Sequence, residues 1–457
     1  SGARPYQGDS YNAVMLAIAI EPVPSLAACT DGLPASLIDI VDTALAKEPG
    51  DRYATASEMA EALTAEGSAV TEFNVDGNKI SHRFVRGLMR SAARLTYEQV
   101  QNVRDGHPDN ETGPLYANVI KPLFGAYAAL ARARDGRGTL DLDLPERQIM
   151  LNEEGWVEKV LPRAHYDSHR LIEEFMIVAN VAAAKALHAK KAPVMYRIHE
   201  QPAIGDVETL RESLAALGFK LARSGTLRPH HLAGILAKAA ETEKLQIVSD
   251  LILRAQSKAI YSPDDKGHFG LALRRYCHFT SPIRRYADLL VHRTLIREFN
   301  LGKGALPPEA DDTFAVIGDQ ISSTERRAAA AERDALDRLT SAFLADRIGS
   351  KFICRISGVT RFGIFIRLDE TNTDGFVPIR TLPWDRYRHD NKHHLLEGEN
   401  TGMRFTLGQV VSAELVEAEP RTGSLVFQIT DIDHISVNNR PRQIKRRSSK
   451  RKKRFGR

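Results

Sequence analysis

Hydrophobic positions recur at helical spacing over most of the first 350 residues and then switch to strict alternation. Helical spacing predicts short helices over Ser10–Ala19, Pro34–Ala46 and Thr55–Leu63, punctuated by Gly32-Leu-Pro34 and Glu48-Pro-Gly50. A polar stretch over 68–80, with Asp76-Gly77-Asn78 inside it, marks a domain boundary near Gly67. Residues 81–300 form a mixed α/β region whose clearest helices are Ser168–Lys190 and Asp206–Leu217. Gly318–Arg347 is one long, charged, Ala-rich amphipathic helix, placed as a connector. Between 349 and 430, Phe352–Val359, Phe362–Leu368, Gly375–Ile379, Val410–Glu417 and Ser424–Ile429 are β-rich and separated by polar loops. Five short strands in that space suit a small barrel of OB type. No internal repeat is present.

Composition changes this picture in two ways. At 457 residues with 43% hydrophobic content the chain exceeds what one core holds, so several domains are expected. The net charge of +5 is unevenly spread: Arg440–Arg457 holds 11 basic residues and no acid, which leaves residues 1–439 at −6. Residues 1–67 alone carry 3 basic and 10 acidic residues. The longest apolar run, Ala13–Ile20, is far shorter than the roughly 18 residues that span a bilayer. Cys29, Cys277 and Cys354 are too scattered for a disulfide framework. A cytoplasmic protein with no membrane partner is expected. The chain opens on Ser1 rather than Met, as a cut or processed N-terminus would.

Chemistry concentrates in the stretch from Gly267 to Arg293. Ser281-Pro282 is an N-cap followed by proline, which predicts a helix start with unpaired backbone N–H groups in its first turn. Such a turn binds anions. Arg284 and Arg285 fall in that same turn, where the helix dipole disfavours cations. Either they hold a phosphate there, or they reach water or Asp288. His165 and His169 straddle Asp167 at helical spacing and fit either a metal site or, with more weight, a polar helix entry.

This stretch closely resembles the signature of the RNase II/RNase R family of 3′→5′ exoribonucleases, in its RNB domain, and the RNase R branch more than the RNase II branch. The resemblance runs back through Ser91–Tyr97, Arg137–Glu146 and His169–Asn180 and covers residues 70–347 nearly without gaps. It implies that Arg284 contacts phosphate near the scissile bond, the one catalytic assignment. It also implies that Tyr97 and Glu174 hold the 3′-terminal nucleotides, with Arg285 nearby. The residues themselves agree only in part. Thr96-Tyr-Glu-Gln99 reads as a capping box that puts Tyr97 at the start of a helix with its ring free. Periodicity gathers Leu171, Phe175, Val178, Ala179 and Ala182 on one face and leaves Glu174 on the polar side beside Lys185.

The family cleaves RNA with Mg²⁺ held by a cluster of four aspartates upstream of the region matching Tyr97. No match to that cluster is present; Asp141 and Asp143 are the nearest short-spaced pair, and Asp264-Asp265 reads as a turn. Mg²⁺ is therefore expected for the family while its ligands are missing here. The two cold-shock domains expected before the cluster are absent as well. In that place, Gly2–Ser10 and Ala44–Ala60, the latter containing Lys47-Glu-Pro-Gly-Asp-Arg52, resemble the end of a bacterial serine/threonine protein kinase C-lobe. That segment lacks every kinase catalytic element, so the join near residues 66–72 reads as accidental.

Residues 349–430 resemble the OB-fold RNA-binding domain named after a ribosomal protein, which presents aromatics matching Phe362 and Phe365 to RNA. Alternation puts those two on opposite faces, so one of them could belong to the core, with at least one exposed. The family's third-strand histidine is Pro378 here, and its basic residue near the fifth strand is Ser424. The expected architecture is multidomain α+β: a kinase C-lobe remnant (1–67), a truncated RNB-type α/β domain (68–347), a five-stranded OB-type barrel (348–432) and a disordered basic tail (433–457). The expected function is the RNA-binding C-terminal portion of an RNase R-like hydrolytic exoribonuclease, deficient in cleavage. The rivals are a non-catalytic RNA-binding protein and a kinase-fusion signalling scaffold. Expected partners are single-stranded RNA and, beyond it, the ribosome or the RNA-decay machinery, engaged by a monomer.

Charge placement yields a first prediction. Each phosphate neutralised on a single strand contributes about 0.7 to the slope of log affinity against log salt. A mobile tail keeps only some contacts at once, so deleting Arg440–Arg457 should lower that slope by about 2 to 4 and weaken binding to every RNA sequence alike. Filter binding across a salt series checks it; an unchanged slope makes the polycation a bystander.

Overall fold

The structure, a computed structural model, describes residues 67–87, 91–142, 146–222, 226–390 and 394–431. The kinase-like segment and the basic tail lie outside the described residues. The polar stretch over 68–80, read as marking a domain boundary near Gly67, forms a hairpin. Strands β1 (Gly67–Phe73) and β2 (Lys79–Arg86) pair antiparallel across the Asp76-Gly77 turn. The Asn74 side chain accepts the N–H groups of Asp76 and Asn78, and Gly77 takes φ +78. A Cβ at Gly77 would also meet the Ala129 carbonyl oxygen at 2.2 Å, so two constraints demand glycine there. An Asp-Gly pair between extended arms is a hairpin signal, and it outweighs the polarity of the segment.

Helices α1 (Tyr97–Arg104), α2 (Lys121–Arg137) and α3 (Asp167–Ala189) follow, with a second hairpin of β3 (Arg147–Leu151) and β4 (Val157–Pro162) between α2 and α3. The small residues Ala182, Ala183 and Ala184 of α3 are fully buried. They admit β5 (Tyr196–Ile198), β6 (Ile260–Ser262) and α7 (Tyr286–Glu298) into close contact around a core containing Met195, Ile198, Leu290 and Phe314. Helices α4 (Ile204–Ala216), α5 (Pro229–Ala240) and α6 (Leu245–Ala255) build a separate core on Leu214, Leu232 and Ile252. Among the described residues this region holds only two-stranded ladders.

The connector expected from periodicity is α8 (Phe314–Ala345), about 48 Å long at 1.5 Å per residue. At one end Phe314 enters the first core, and Gly318 lies so close to β6 that a Cβ would meet the Tyr261 carbonyl oxygen at 2.8 Å. At the other end Leu344 is buried in the barrel. The five expected strands are all present: β7 (Lys351–Thr360), β8 (Gly363–Leu368), β9 (Asp374–Pro378), β13 (Val410–Glu419) and β14 (Ser424–Asp431), closed in the order β13-β14-β9-β8-β7. The expectation missed a three-stranded sheet inserted before β13, made of β10 (Tyr387–Asp390), β11 (Leu395–Gly398) and β12 (Arg404–Thr406). Its strands are short and bury little besides Leu396 and Phe405, which leaves almost no alternation to detect. No helix among the described residues is long and apolar enough to cross a membrane.

Two glycines make opposite predictions. A Cβ at Gly375 would meet the Phe427 ring at 2.3 Å, so Gly375→Ala should destabilise the barrel by about 1–3 kcal/mol. Gly125 sits inside α2 with nothing within 4 Å of where a Cβ would stand, so Gly125→Ala should stabilise by about 0.5–1 kcal/mol. Urea unfolding of the two variants checks the sign of each.

Candidate nucleic-acid interface

The segment from Gly267 to Arg285 is held by buried polar side chains. Asn180 of α3 donates from Nδ2 to the Tyr276 hydroxyl (2.9 Å) and accepts the Phe279 N–H on Oδ1 (2.8 Å). His292 of α7 stacks on the Phe279 ring at 4.3 Å and donates to its carbonyl at 2.8 Å. The Tyr261 hydroxyl meets His278 Nδ1 at 2.9 Å. Burial first, then nearby arginines, push the His278 pKa down to about 2; burial and His199 push that of His268 down to about 3.

The helix does not begin at Ser281-Pro282 as expected. Pro282–Arg284 form a turn, Arg285 is an extended N-cap, and α7 starts at Tyr286. The cause is Asp288, which is fully buried and accepts the Ser281 N–H (2.8 Å) and Arg285 Nη2 (2.8 Å) on one oxygen. Folding the preceding turn back onto this carboxylate breaks helical continuity before Tyr286. The two arginines therefore differ. Arg285 is balanced by Asp288, while Arg284 is exposed with no hydrogen-bond or ion-pair partner among the described residues.

Tyr97 opens α1 behind the expected capping box of Thr96 and Gln99. Tyr97 is 41% exposed, and one face of its ring is stacked on His169 at 4.0 Å. His169 in turn stacks on Tyr166, and His165 meets Glu173 at 3.0 Å, so both histidines serve the entry to α3. Glu174 corrects the periodicity. It is 1% exposed rather than solvated, because α2 lies over that face and brings Arg134 (3.3 Å) and Arg137 (4.0 Å) to its carboxylate. Burial pushes the Glu174 pKa up, against the pull of the two arginines. Arg134 also grips Asp141 at 2.9 Å. Sequence reasoning missed Arg134, Arg137 and Asn180, which no spacing rule singles out.

On the barrel both phenylalanines face outward, Phe362 at 62% and Phe365 at 43% exposure. Phe362 precedes β8, and Gly363 at φ +149 resets the alternation between them. The Arg361 guanidinium lies 4.5 Å over the Phe362 ring, and Phe365 packs against Phe376. Pro378 ends β9 and Ser424 opens β14 at an exposed position. Among the described residues no three His, Cys, Asp or Glu side chains stand together as a metal site. Asp143 lies outside the described residues.

Comparison with known proteins agrees with this geometry. The RNB domain profile matches residues 62–299, and the S1 RNA binding domain profile matches residues 346–430. The chain belongs to the RNB-domain family. Ribonuclease R of Aquifex aeolicus is 37% identical over 368 residues, which is 79% of this chain and 51% of that protein. Ribonuclease R of Escherichia coli is 34% identical over 379 residues, 80% of this chain and 46% of that protein. This RNB-family chain thus spans about half the length of the curated relatives it matches. Among solved structures, the apo form of Mycoplasma genitalium RNase R superposes with a TM-score of 0.77 at 25% identity, over 90% of this chain and 66% of that one. The same enzyme in complex with ribose-methylated single-stranded RNA gives the same values.

The buried histidines generate a pH prediction for this RNB domain. With folded pKa values near 2 and 3, His278 and His268 bind fewer protons in the folded chain than in the unfolded one between those values and about 6.5. Stability must therefore rise with pH through that window and fall on acidification, by up to about 1.4 kcal/mol per pH unit for each histidine. His278→Phe should remove one proton from that slope. Urea midpoints at pH 7 and pH 5 measure it; an unaltered slope would show that His278 is not held neutral.

Proposed function

We propose that this chain is the RNA-binding C-terminal portion of an RNase R-type hydrolytic 3′→5′ exoribonuclease that engages single-stranded RNA, and that as it stands it does not cleave. The observation that carries this reading is the likeness to ribonuclease R across about 80% of the chain, through both the RNB and the S1 domains. Under it, residues 68–347 act as an RNB domain without its N-terminal catalytic part, 348–432 as the RNA-binding barrel and 433–457 as a basic tail.

The residues take roles their surroundings permit. Arg284, exposed and unpaired among the described residues, would grip a backbone phosphate, while Arg285 holds its turn through Asp288. Tyr97 offers the ring face that His169 leaves open to a terminal base. Glu174 can accept a ribose hydroxyl only after Arg134 moves aside. Phe362 and Phe365 supply stacking without sequence readout. A hydrolytic enzyme of this type would need metal ligands, and the described residues do not fit: Asp141 is tied to Arg134 and no acidic cluster adjoins it. That misfit favours the second reading, an RNA-binding protein without catalysis, over a cleaving enzyme, and the S1 RNA binding domain match favours it over a signalling scaffold.

Purified chain incubated with single-stranded RNA and Mg²⁺ should bind the RNA yet release no 5′-mononucleotides above background. Replacing Phe362 and Phe365 with Ala should weaken binding by about 1–3 kcal/mol per stacked base and leave its salt slope nearly unchanged. Robust Mg²⁺-dependent release of mononucleotides by a contaminant-free preparation overturns the cleavage-deficient reading. Absence of any RNA binding overturns the rest.

A further inference from the structure

The loop between β9 and β10 carries the most exposed large hydrophobic side chain among the described residues, Trp384 at 96%. Its backbone is nonetheless fixed on both sides. Leu382 is buried in the barrel core, and the Pro383 carbonyl accepts the Tyr387 hydroxyl at 2.7 Å. The Asp385 carboxylate accepts the backbone N–H of Asn400 (3.1 Å), Thr401 (2.8 Å) and Arg386 (2.6 Å), the Asn400 side-chain amide (2.8 Å) and the Thr401 hydroxyl (2.6 Å). A rigid loop that holds an uncovered indole in water presents a flat apolar face at little ordering cost on binding.

The surroundings select the partner. Its chain neighbours are Pro383, Asp385 and Arg386, and the five donors around the Asp385 carboxylate hold it ionised, so the loop carries charges of both signs. Arg380 is exposed with no partner among the described residues, and the Arg386 side chain is 84% exposed beside Glu399. A single indole on a rigid loop fits a planar base, which needs only one ring face, better than a protein surface, which would need a wider apolar area, and the unpaired Arg380 is available to a backbone phosphate. The loop is also continuous with the barrel's aromatic platform, because the Ile379 N–H donates to the Phe362 carbonyl at 2.8 Å. Trp384 follows Ile379 by five residues, at most about 17 Å of extended chain. OB-type barrels track roughly 4 to 16 nucleotides, so one strand can reach both.

We infer that Trp384 is a further base-stacking residue, which extends the single-stranded RNA track of the barrel from Phe362 and Phe365 along the Leu382–Arg386 loop. This inference rests on the RNA-binding reading of the barrel. Its test uses the full chain, whose two tryptophans are Trp156 and Trp384. In a Trp156→Phe background, titration with oligouridylate should quench the remaining emission over the concentration range in which the RNA binds. Trp384→Ala should weaken that binding roughly 5-fold or more, the lower end for one stacked base, with the salt slope and melting temperature unchanged. Trp384→Phe should recover most of the loss. If oligouridylate binds and Phe362→Ala weakens it, while Trp384→Ala binds as the parent and the Trp384 emission does not move, the inference fails and the barrel reading stands. If the parent chain binds no oligouridylate, both fail together.

Discussion

The arrangement of the RNB region depends on one buried amide. Asn180 uses both ends of its side chain on a single neighbouring segment, Nδ2 on Tyr276 and Oδ1 on Phe279. A buried amide left half-satisfied costs about 1–3 kcal/mol, so the pairing fixes the segment's position as well as adding stability. Fixing Phe279 in turn fixes His292 of α7 by stacking and by a carbonyl hydrogen bond. With α7 set, Asp288 is committed to Ser281 and Arg285, and Arg284 is the arginine left facing outward. The same helix, α3, carries His169 against Tyr97 and, five residues on, Glu174 under Arg134. Tyr97, Glu174 and the Arg284 turn are thus referred to one rigid spine of about 16 Å between His169 and Asn180.

Charge is handled alike on α3 and on α7. Asp288 is buried with Arg285, and Glu174 is buried with Arg134 and Arg137. In each case the acid is enclosed and the arginine is turned inward to meet it, which removes positive charge from the surface. Residues 68–439 are close to neutral overall, at +1. On the proposed RNA-binding reading, long-range attraction of a polyanion then falls to the eleven charges after Asn439, and contacts elsewhere come from single arginines and aromatic faces. This division explains why stacking and salt dependence should separate cleanly by mutation.

How much of this was legible in the sequence follows from how each feature is encoded. The barrel strands were legible to within two residues because their core positions, such as Ile364, Ile366 and Leu368, alternate and are completely buried. Helix α8 was legible because its charged face persists over many turns. The start of α7 was misread because Ser281-Pro282 is a sound local signal that a tertiary contact, the Asp288 carboxylate, overrides. Glu174 was misread because periodicity reports the hydrophobic face of α3 and says nothing about which other helix covers the polar one. The β1–β2 hairpin was hidden by polarity, since its strands rest mainly on aromatic contacts, Phe73 on Phe175 and Phe84 on Phe279.

The barrel is tied to the RNB region by more than its connector. Arg367 of β8 reaches Asp250 of α6 at 2.6 Å while also holding Asp374 at 2.9 Å, beside a cleft of about 280 Å³ lined by Lys244, Ile247 and Arg355. Arg147 of β3 also meets Asp337 of α8 at 2.7 Å, and Gly423 lies so close to Asp337 that a Cβ there would come within 2.9 Å of it. Arg367 and Asp250 are both largely buried, so breaking the pair leaves an uncompensated charge, and the junction resists shear more than exposed ion pairs would. Phe365 sits on the same strand as Arg367, two residues earlier and facing the same side by alternation. The contact that seats the barrel on α6 therefore also sets the orientation of its exposed aromatic surface relative to the RNB region.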